Sequence, residues 1–299
     1  MAAILAHQGE FYALLCGVFW GMAVCLFRKS GEAMPPMSLN LFKNALGVVL
    51  FGVTMLAFGQ RLIIDAPAID YLLTILSGVI GMTVADNLFF ASLNRIGAGV
   101  WAVVDCLYTP SVIVLAFTFL GESLDATDLV GAAIIIAAVL LASLDVRRLR
   151  AATKEHAAVG ILQGVGGIVL MAVGGVMIKP VLARQPLLWV TQVRLVAGTL
   201  SLAVVMLLRR DRRRLFEGMW PKRGLRYAVL GTFFGTYLTA LTWMAGMKFT
   251  LISIAAILNQ LSVLFIFLFA SVFLREPLTR RKVVAVVVAF LGVLLVVGV

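Results

Sequence analysis

Four charged residues lie inside long apolar runs of the sequence, where little water can solvate a side chain. Asp86 and Asp105 lie deep in two of these runs, and Lys43 and Arg194 lie nearer to the starts of two others. An ionisable side chain at the centre of a membrane helix costs about 2.5–3.5 kcal/mol on insertion scales, and it almost always faces a cavity or a partner. The carboxylates could therefore hold a substrate ammonium group or a proton, and the basic residues could attract a carboxylate.

A structural interpretation competes with this functional one. At a rise of about 1.5 Å per residue, both aspartates lie roughly 14 Å from the turn between their runs, near the membrane midplane. Lys43 enters from the same membrane side, so Asp86 and Asp105 could be neutral or paired with it. Lys43 and Arg194 could instead extend to the membrane surface. Both interpretations stay open at the level of the sequence.

Uncharged polar and aromatic side chains accompany the charges at mid-depth. Trp101 and Tyr108 share a helical face with Asp105, and Met82 and Phe90 share one with the other aspartate. Aromatic rings at this depth suit a cavity for flat or apolar solutes, with ordinary helix packing as the alternative. The predicted substrate-binding residues are Trp20, Met82, Asp86, Phe90, Trp101, Asp105, Tyr108, Gln163, Thr236, Tyr237, Thr239, Trp243, Asn259 and Gln260.

The elements that must position these residues are membrane-spanning helices. Of the 299 residues, 62% are hydrophobic and only 13% are charged, and the mean hydropathy is +1.07. The runs are continuously apolar over about 20 residues, which indicates helices rather than barrel strands. We predict an all-α membrane protein of ten transmembrane helices, near residues 11–28, 37–58, 68–93, 97–120, 126–144, 157–179, 187–208, 225–247, 251–274 and 280–298.

Local motifs predict how these helices start and pack. Asp125 and Thr279 stand where they can accept backbone N–H bonds at the starts of the fifth and tenth spans. Gly-x-x-x-Gly spacings allow helix backbones to approach closely in a membrane. These spacings occur at Gly17/Gly21, Gly160/Gly164 and Gly231/Gly235.

The sequence contains an internal repeat. With an offset of 154, Ala91 coincides with Ala245 and Glu122 with Glu276, and with an offset of 151 Lys43 coincides with Arg194. We therefore predict two five-helix units, residues 1–150 and 151–299. Because five is odd, the second unit must enter the membrane in the opposite orientation, as in the inverted repeats of many secondary transporters.

Matching segments end the fourth and ninth spans and carry a family resemblance. Residues 119–125 read Phe-Leu-Gly-Glu-Ser-Leu-Asp, and residues 273–279 read Phe-Leu-Arg-Glu-Pro-Leu-Thr. With the duplication and the basic residues Lys43 and Arg194, the chain resembles the drug/metabolite transporter superfamily, as a tandem EamA-domain protein. Within it the chain is most similar to YddG-type amino-acid exporters. The resemblance implies a central cavity lined by spans one to four and six to nine, with spans five and ten at the periphery.

Two features depart from that family. Pro110 in the fourth span is matched by Leu264 in the ninth, which predicts that the two halves bend unequally. Family members usually keep both termini in the cytoplasm. Here the odd-numbered connections hold 19 Lys and Arg residues against 4 on the other side, so the positive-inside rule predicts termini outside the cytoplasm of a cell (inner) membrane.

The sequence favours some functions and disfavours others. The leading prediction is a secondary transporter that exports aromatic and other neutral amino acids, or related small metabolites, by alternating access. Alternatives are a lipid-carrier or nucleotide-sugar type flippase, and a membrane-embedded enzyme using Asp86 and Asp105. The enzyme lacks support, because His7 and His156 lie outside the spans and no metal-ligand spacing is present. No catalytic residue, metal or cofactor is therefore expected.

The partners follow from the charge distribution. The formal net charge is +11, and the basic residues fall in short loops, which favours anionic lipid headgroups over nucleic acid. The substrate is expected to be a small molecule of the amino-acid class. Proton coupling, exchange, facilitated diffusion and the oligomeric state stay open.

Overall fold

The protein is described here by a computed structural model that covers residues 7–143, 155–221, 223–273 and 280–297. Over these ranges its regular structure is helical. The elements are α1 (Gln8–Gly31), α2 (Pro36–Ala57), α3 (Ala68–Gly78), the π-helix π1 (Val79–Ala85), α4 (Asp86–Asp105), α5 (Tyr108–Leu120), α6 (Ala126–Ser143), α7 (Glu155–Arg184), α8 (Leu187–Leu208), α9 (Arg212–Glu217), α10 (Leu225–Thr232), π2 (Phe233–Leu238), α11 (Thr239–Phe249), α12 (Ile252–Asn259), α13 (Ser262–Phe273) and α14 (Arg280–Val297).

Eight helical stretches among the described residues are long and apolar enough to cross a membrane. They are Gln8–Gly31, Pro36–Ala57, Ala68–Gly97, Val103–Leu120, Ala158–Arg184, Leu187–Leu208, Leu225–Phe249 and Ile252–Phe269. Shorter apolar helices cover Ala126–Leu141 and Val283–Val297, where the fifth and tenth spans are predicted. The prediction of an all-helical, multi-pass membrane protein is confirmed, and the count of ten spans stays a prediction.

Helical irregularities recur at the same places in the two halves of the chain. The π-helices start 154 residues apart, at Val79 and Phe233. The helix that ends at Asp105 and the helix that ends at Asn259 are each followed by a two-residue break before the next helix. The second half therefore breaks at the equivalent position without a proline, and the expectation of unequal bending stays a prediction.

The turn between the third and fourth predicted spans depends on a glycine. Gly97 lies within α4 and has φ 70° and ψ 168°, so the chain changes direction there. Residues that carry a Cβ atom rarely adopt this positive φ. The turn places Asp86 and Asp105 on two helical stretches that meet at Gly97.

Close helix packing occurs where the sequence predicts it. A Cβ atom on Gly21 would lie 2.6 Å from the Phe265 Cβ, and one on Gly17 would lie 3.3 Å from the Ser262 backbone nitrogen. Glycine at these positions therefore lets α1 lie directly against α13. α6 and α14 also pack closely together, since a Cβ on Gly131 would lie 2.9 Å from the Gly292 carbonyl oxygen.

The predicted helix cap at Asp125 is confirmed. The Asp128 N–H donates to the Asp125 carboxylate at 2.9 Å, and the Thr127 hydroxyl donates to it at 2.6 Å. The bond from Thr127 has the largest effect and the bond from Asp128 the next, and both hold the pKa of the Asp125 carboxyl below its usual range. The second predicted cap, Thr279, lies outside the described residues.

The contact between α1 and α13 generates a stability prediction. We expect Gly21→Ala to lower the melting temperature of the detergent-purified protein, because the added methyl group overpacks the interface at a cost of about 1–3 kcal/mol. Gly52→Ala is the control, since a Cβ there meets its nearest neighbour, the Gln192 Nε2, at 3.6 Å. Equal melting temperatures for the two variants would contradict the close packing.

Candidate substrate-binding cavity

Both halves of the chain line one internal cavity of about 200 Å³. Its walls come from α1, α2, π1, α4 and α5 of the first half, and from α7, α8, π2, α11 and α12 of the second. All four charged residues that the sequence singles out reach it. The predicted residues that line it are Trp20, Lys43, Met82, Asp86, Asp105, Tyr108, Arg194, Thr236, Thr239, Trp243, Asn259 and Gln260.

Two of the four charges form an ion pair in the cavity wall. The Lys43 Nζ lies 2.6 Å from the Asp86 Oδ2, and it also donates to the Asn44 Oδ1 at 3.0 Å. Lys43 is 8% exposed, so it does not extend to the membrane surface. Of the interpretations left open by the sequence, the structure has Asp86 paired with Lys43, and the mutual attraction offsets part of the cost of burying each charge.

The other two charges, Asp105 and Arg194, remain without an ionic partner. The ion pairs among the described residues include neither of them. Arg194 is 7% exposed, and its Nε has no hydrogen-bond partner in the described part of the chain. Its Nη1 lies 3.7 Å from the Met244 Sδ, which is a weak acceptor. A carboxylate and a guanidinium thus face the same cavity with free hydrogen-bonding capacity.

Two helix C-termini add partial negative charge to the cavity wall. α4 ends at Asp105 and α12 ends at Asn259, and the C-terminal end of a helix carries partial negative charge. The buried Asn259 Oδ1 also lacks a hydrogen-bond partner in the regions that the structure describes. A carboxylate, an amide oxygen and two helix C-termini together form an environment that favours a cation with several N–H donors.

Aromatic rings form the apolar part of the cavity. Trp20, Tyr108 and Trp243 line it, and the centroids of Tyr108 and Trp243 lie 6.0 Å apart with their planes at 57°. Trp20 packs against Phe89, with ring centroids 5.7 Å apart. The cavity thereby combines charged groups with flat apolar surfaces.

Four predicted residues, Phe90, Trp101, Gln163 and Tyr237, do not line this cavity. Trp101 is 2% exposed and packs edge-on against Phe89 at 4.9 Å. Its ring fills the space beside Gly164, where a Cβ would lie 3.0 Å from it. The expectation that Trp101 forms the aromatic wall is therefore wrong in this structure.

The other three residues have structural surroundings of their own. Phe90 packs edge-on against Phe27 with centroids 5.8 Å apart, and the Tyr237 hydroxyl lies 2.7 Å from the Thr54 hydroxyl. The buried Gln163 Oε1 has no partner within the described ranges. Phe90 lies one helical turn after Asp86 on α4, and the neighbouring ring, Phe89, lines the cavity in its place.

Further lining residues were not predicted. They include Cys16, Phe27, Phe89, Ile168, Met171 and Met244, which are apolar and resemble ordinary packing residues in the sequence. Gly81 and Gly235 also line the cavity, and their coincidence at an offset of 154 is a signal that could have found them.

The comparisons with known proteins agree with a helical membrane transporter. The model of the EamA-like transporter family matches the chain twice, over residues 7–144 and 158–298. The chain therefore belongs to the EamA-like transporter family, and the expectation of a tandem EamA protein is confirmed. No protein of curated function matches the sequence. One solved structure, described only as "Crystal structure of protein", is similar in fold, with a TM-score of 0.78 at 18% identity over 97% of this chain and 95% of that chain.

The pairing of Lys43 with Asp86 generates a prediction about coupling. We expect Lys43→Met and Asp86→Leu each to lower the melting temperature, because each leaves one buried charge unpaired. The double variant should lose less than the sum of the two losses. Arg213→Met with Glu217→Leu is the control cycle, since that pair is 91% and 67% exposed and its coupling should be about 0–1 kcal/mol. Additive losses at positions 43 and 86 would contradict the pairing.

Proposed function

We propose that this EamA-like transporter exports neutral amino acids, with a preference for aromatic and large apolar ones. The observation that carries the proposal is the joint presence of Asp105 and Arg194 on one cavity, each without an ionic partner among the described residues. Burial of single charges is costly, so a ligand that supplies both opposite charges gains most from this arrangement.

The charges of an α-amino acid match the two ends of this arrangement. Its ammonium group has three N–H donors, which suit the Asp105 carboxylate, the Asn259 Oδ1 and the nearby helix C-termini. Its carboxylate suits Arg194, whose guanidinium has a planar fork of donors for two oxygens. Lys43 and Asp86 neutralise each other, and Asp105 and Arg194 have opposite charges, so a zwitterion supplies a partner to both of them and leaves the net charge of the cavity at zero.

The size and the rings of the cavity favour small solutes. A volume of about 200 Å³ is below the range of about 300–1,000 Å³ that is typical of pockets for drug-sized ligands. This supports an amino acid over a nucleotide sugar or a lipid-linked sugar. Ring contacts with Trp20, Tyr108 or Trp243 would add about 0.5–1.5 kcal/mol for an aromatic substrate, which is a preference and not strict selection.

We further propose that the chain consists of two inverted five-helix units, residues 1–150 and 151–299, with ten spans. The family matches over two consecutive regions support two units. The π-helices at Val79 and Phe233 and the helix breaks after Asp105 and Asn259 recur at the offset of the sequence repeat. In such transporters the substrate site lies at the interface of the two units, and alternating access follows from movement of one unit against the other.

The amino-acid assignment is tested with analogues that lack one charge. In liposomes containing the full chain, phenylalanine uptake should be inhibited more by unlabelled phenylalanine than by phenethylamine or 3-phenylpropionate. Asp105→Asn should reduce phenylalanine uptake about tenfold or more and weaken the discrimination against 3-phenylpropionate, because one charge-assisted hydrogen bond contributes about 1.5–3 kcal/mol. Arg194→Gln should weaken the discrimination against phenethylamine.

The matched control is Asp125→Asn, which changes an exposed carboxylate outside the cavity. It should leave uptake and discrimination unchanged. Unaltered uptake by Asp105→Asn at every pH between 5 and 8 would contradict the role of Asp105. Stronger competition by a lipid-linked sugar than by amino acids would instead favour the flippase alternative.

We also propose that both termini lie outside the cytoplasm of a cell (inner) membrane, on the basis of the loop charge. In a variant without the three native cysteines, a cysteine at Gln8 should react with an impermeant reagent in intact cells. A cysteine at Arg212 should react only after the cytoplasmic side is exposed. The reverse pattern would contradict the proposed orientation and match the usual orientation of the family.

A further inference from the structure

The turn between α11 and α12, residues 250–251, is held by charged side chains from two other helices. Glu122, just after α5, accepts hydrogen bonds from the Ile252 N–H at 3.0 Å and from the Ser253 N–H at 3.1 Å. The Ser253 hydroxyl donates to the same carboxylate at 2.8 Å. A carboxylate in this position satisfies the free N–H groups at the start of α12 and interacts favourably with its dipole.

The end of α11, just before the turn, is bound by a positively charged side chain. The Lys179 Nζ, on α7, donates to the carbonyl oxygens of Met247 and Thr250, the latter at 2.5 Å. A cation there satisfies the free carbonyl groups at the end of α11. Glu122, from the first half of the chain, therefore binds the backbone N–H groups that follow the turn. Lys179, from the second half, binds backbone carbonyl groups in the turn and just before it.

The same turn contacts α1 closely. A Cβ on Gly9 would lie 2.5 Å from the Thr250 Cβ, and the Thr250 hydroxyl donates to the Glu10 carboxylate at 3.1 Å. Three elements outside the α11–α12 hairpin therefore meet at residues 250–251.

The equivalent turn in the first half of the chain lacks the hydrogen bonds from a basic side chain. At the repeat offsets, residues 250–251 correspond to 96–97, Gly9 to Gly160 and Lys179 to Arg28. The glycine contact is retained, since a Cβ on Gly160 would lie 2.6 Å from the Ile96 Cγ2. Arg28, by contrast, is exposed and makes no hydrogen bond within the described residues. Among the described residues, the contact with a basic side chain is thus present at residues 250–251 and absent at residues 96–97, while Glu276, the counterpart of Glu122, lies outside those residues.

The clamped turn lies beside the cavity wall. Gly175 lines the cavity, and a Cβ placed on it would lie 3.4 Å from the Ile252 Cδ1 and 3.6 Å from the Tyr108 Oη. Ile252, whose N–H is bound by Glu122, is buried and packs against the cavity wall at Gly175, between that wall and the turn. Movement of α12 away from Glu122 would open a path to the cavity at this point.

We propose that Glu122 and Lys179 form a latch that holds the cavity closed on the side of residues 250–251, and that its release admits solute from that side. Both are positioning residues, because they act on the backbone of α11 and α12 and do not line the cavity. The inference rests on the transport activity of the family and not on an amino-acid substrate.

The latch is tested by measuring access to a single cysteine at Gly175, in full-length protein without its native cysteines, reconstituted in sealed vesicles of each orientation. A cysteine at the exposed Phe249 identifies the side of the turn. From that side, Glu122→Ala should raise the rate of reaction of Gly175→Cys with an impermeant thiol reagent about tenfold or more, since charged hydrogen bonds are lost. Lys179→Met should do the same, and Ser253→Ala should raise the rate about two- to threefold.

Asp125→Asn is the matched control, because Asp125 lies in the same connection as Glu122 but caps its own helix, α6. It should leave the rate unchanged. Labelling from the opposite side distinguishes opening from loss of structure, since an opened latch leaves that rate equal or lower. Equal rates for Glu122→Ala and Asp125→Asn, or a rise from both sides, would overturn the proposal. The assay needs no substrate, so its outcome is independent of the amino-acid assignment.

Discussion

Charge burial in an apolar environment is the constraint on which the rest of this structure depends. Lys43 and Asp86 meet at 2.6 Å in the wall of a cavity that both halves of the chain line. Either charge alone would be expensive to insert at this depth, and the pair reduces that cost through mutual attraction. Asp105 and Arg194 reduce it by facing the cavity instead of lipid. The cavity therefore lowers the cost of inserting the helices that carry these charges, and it is also the proposed binding site of a zwitterion.

The irregular helices follow from the same constraint. Broken or widened helices leave backbone groups without their usual partners, and a membrane tolerates this only where protein or a cavity replaces lipid. Residues of both π-helices and of the helices that end at Asp105 and Asn259 line the cavity. Their positions concentrate polar backbone and polar side chains at the cavity.

The attachment of the turn at residues 250–251 connects this site with the membrane surface. Glu122 and Lys179 bind backbone groups of α12 and α11, the helices that contribute Asn259 and Trp243 to the cavity. A fold similarity at 18% identity does not transfer a substrate, because a shared fold hosts different ligands through different side chains. The chemistry of this transporter is therefore argued from its own cavity residues and from the contacts that control access to them.

Much of the architecture was predictable from local signals in the sequence. Continuous apolar runs predict helices because every backbone group must be satisfied within the membrane. The four buried charges predict the location of the cavity because each must find a partner or water. The Gly-x-x-x-Gly pair at Gly17 and Gly21 predicts a close helix contact because a backbone without a side chain can approach another.

Tertiary structure alone decided which candidates meet. Trp101 and Trp243 are equally placed in the sequence, but the space beside Gly164 accommodates the first ring, while the second faces the cavity. Lys43 pairs with Asp86 and not with Asp105, and the two aspartates lie on opposite sides of the turn at Gly97. A regular 3.6-residue period includes neither that turn nor π1. The bond between Glu122 and the start of α12 joins residues 130 positions apart, and only the packing of the two halves brings them together.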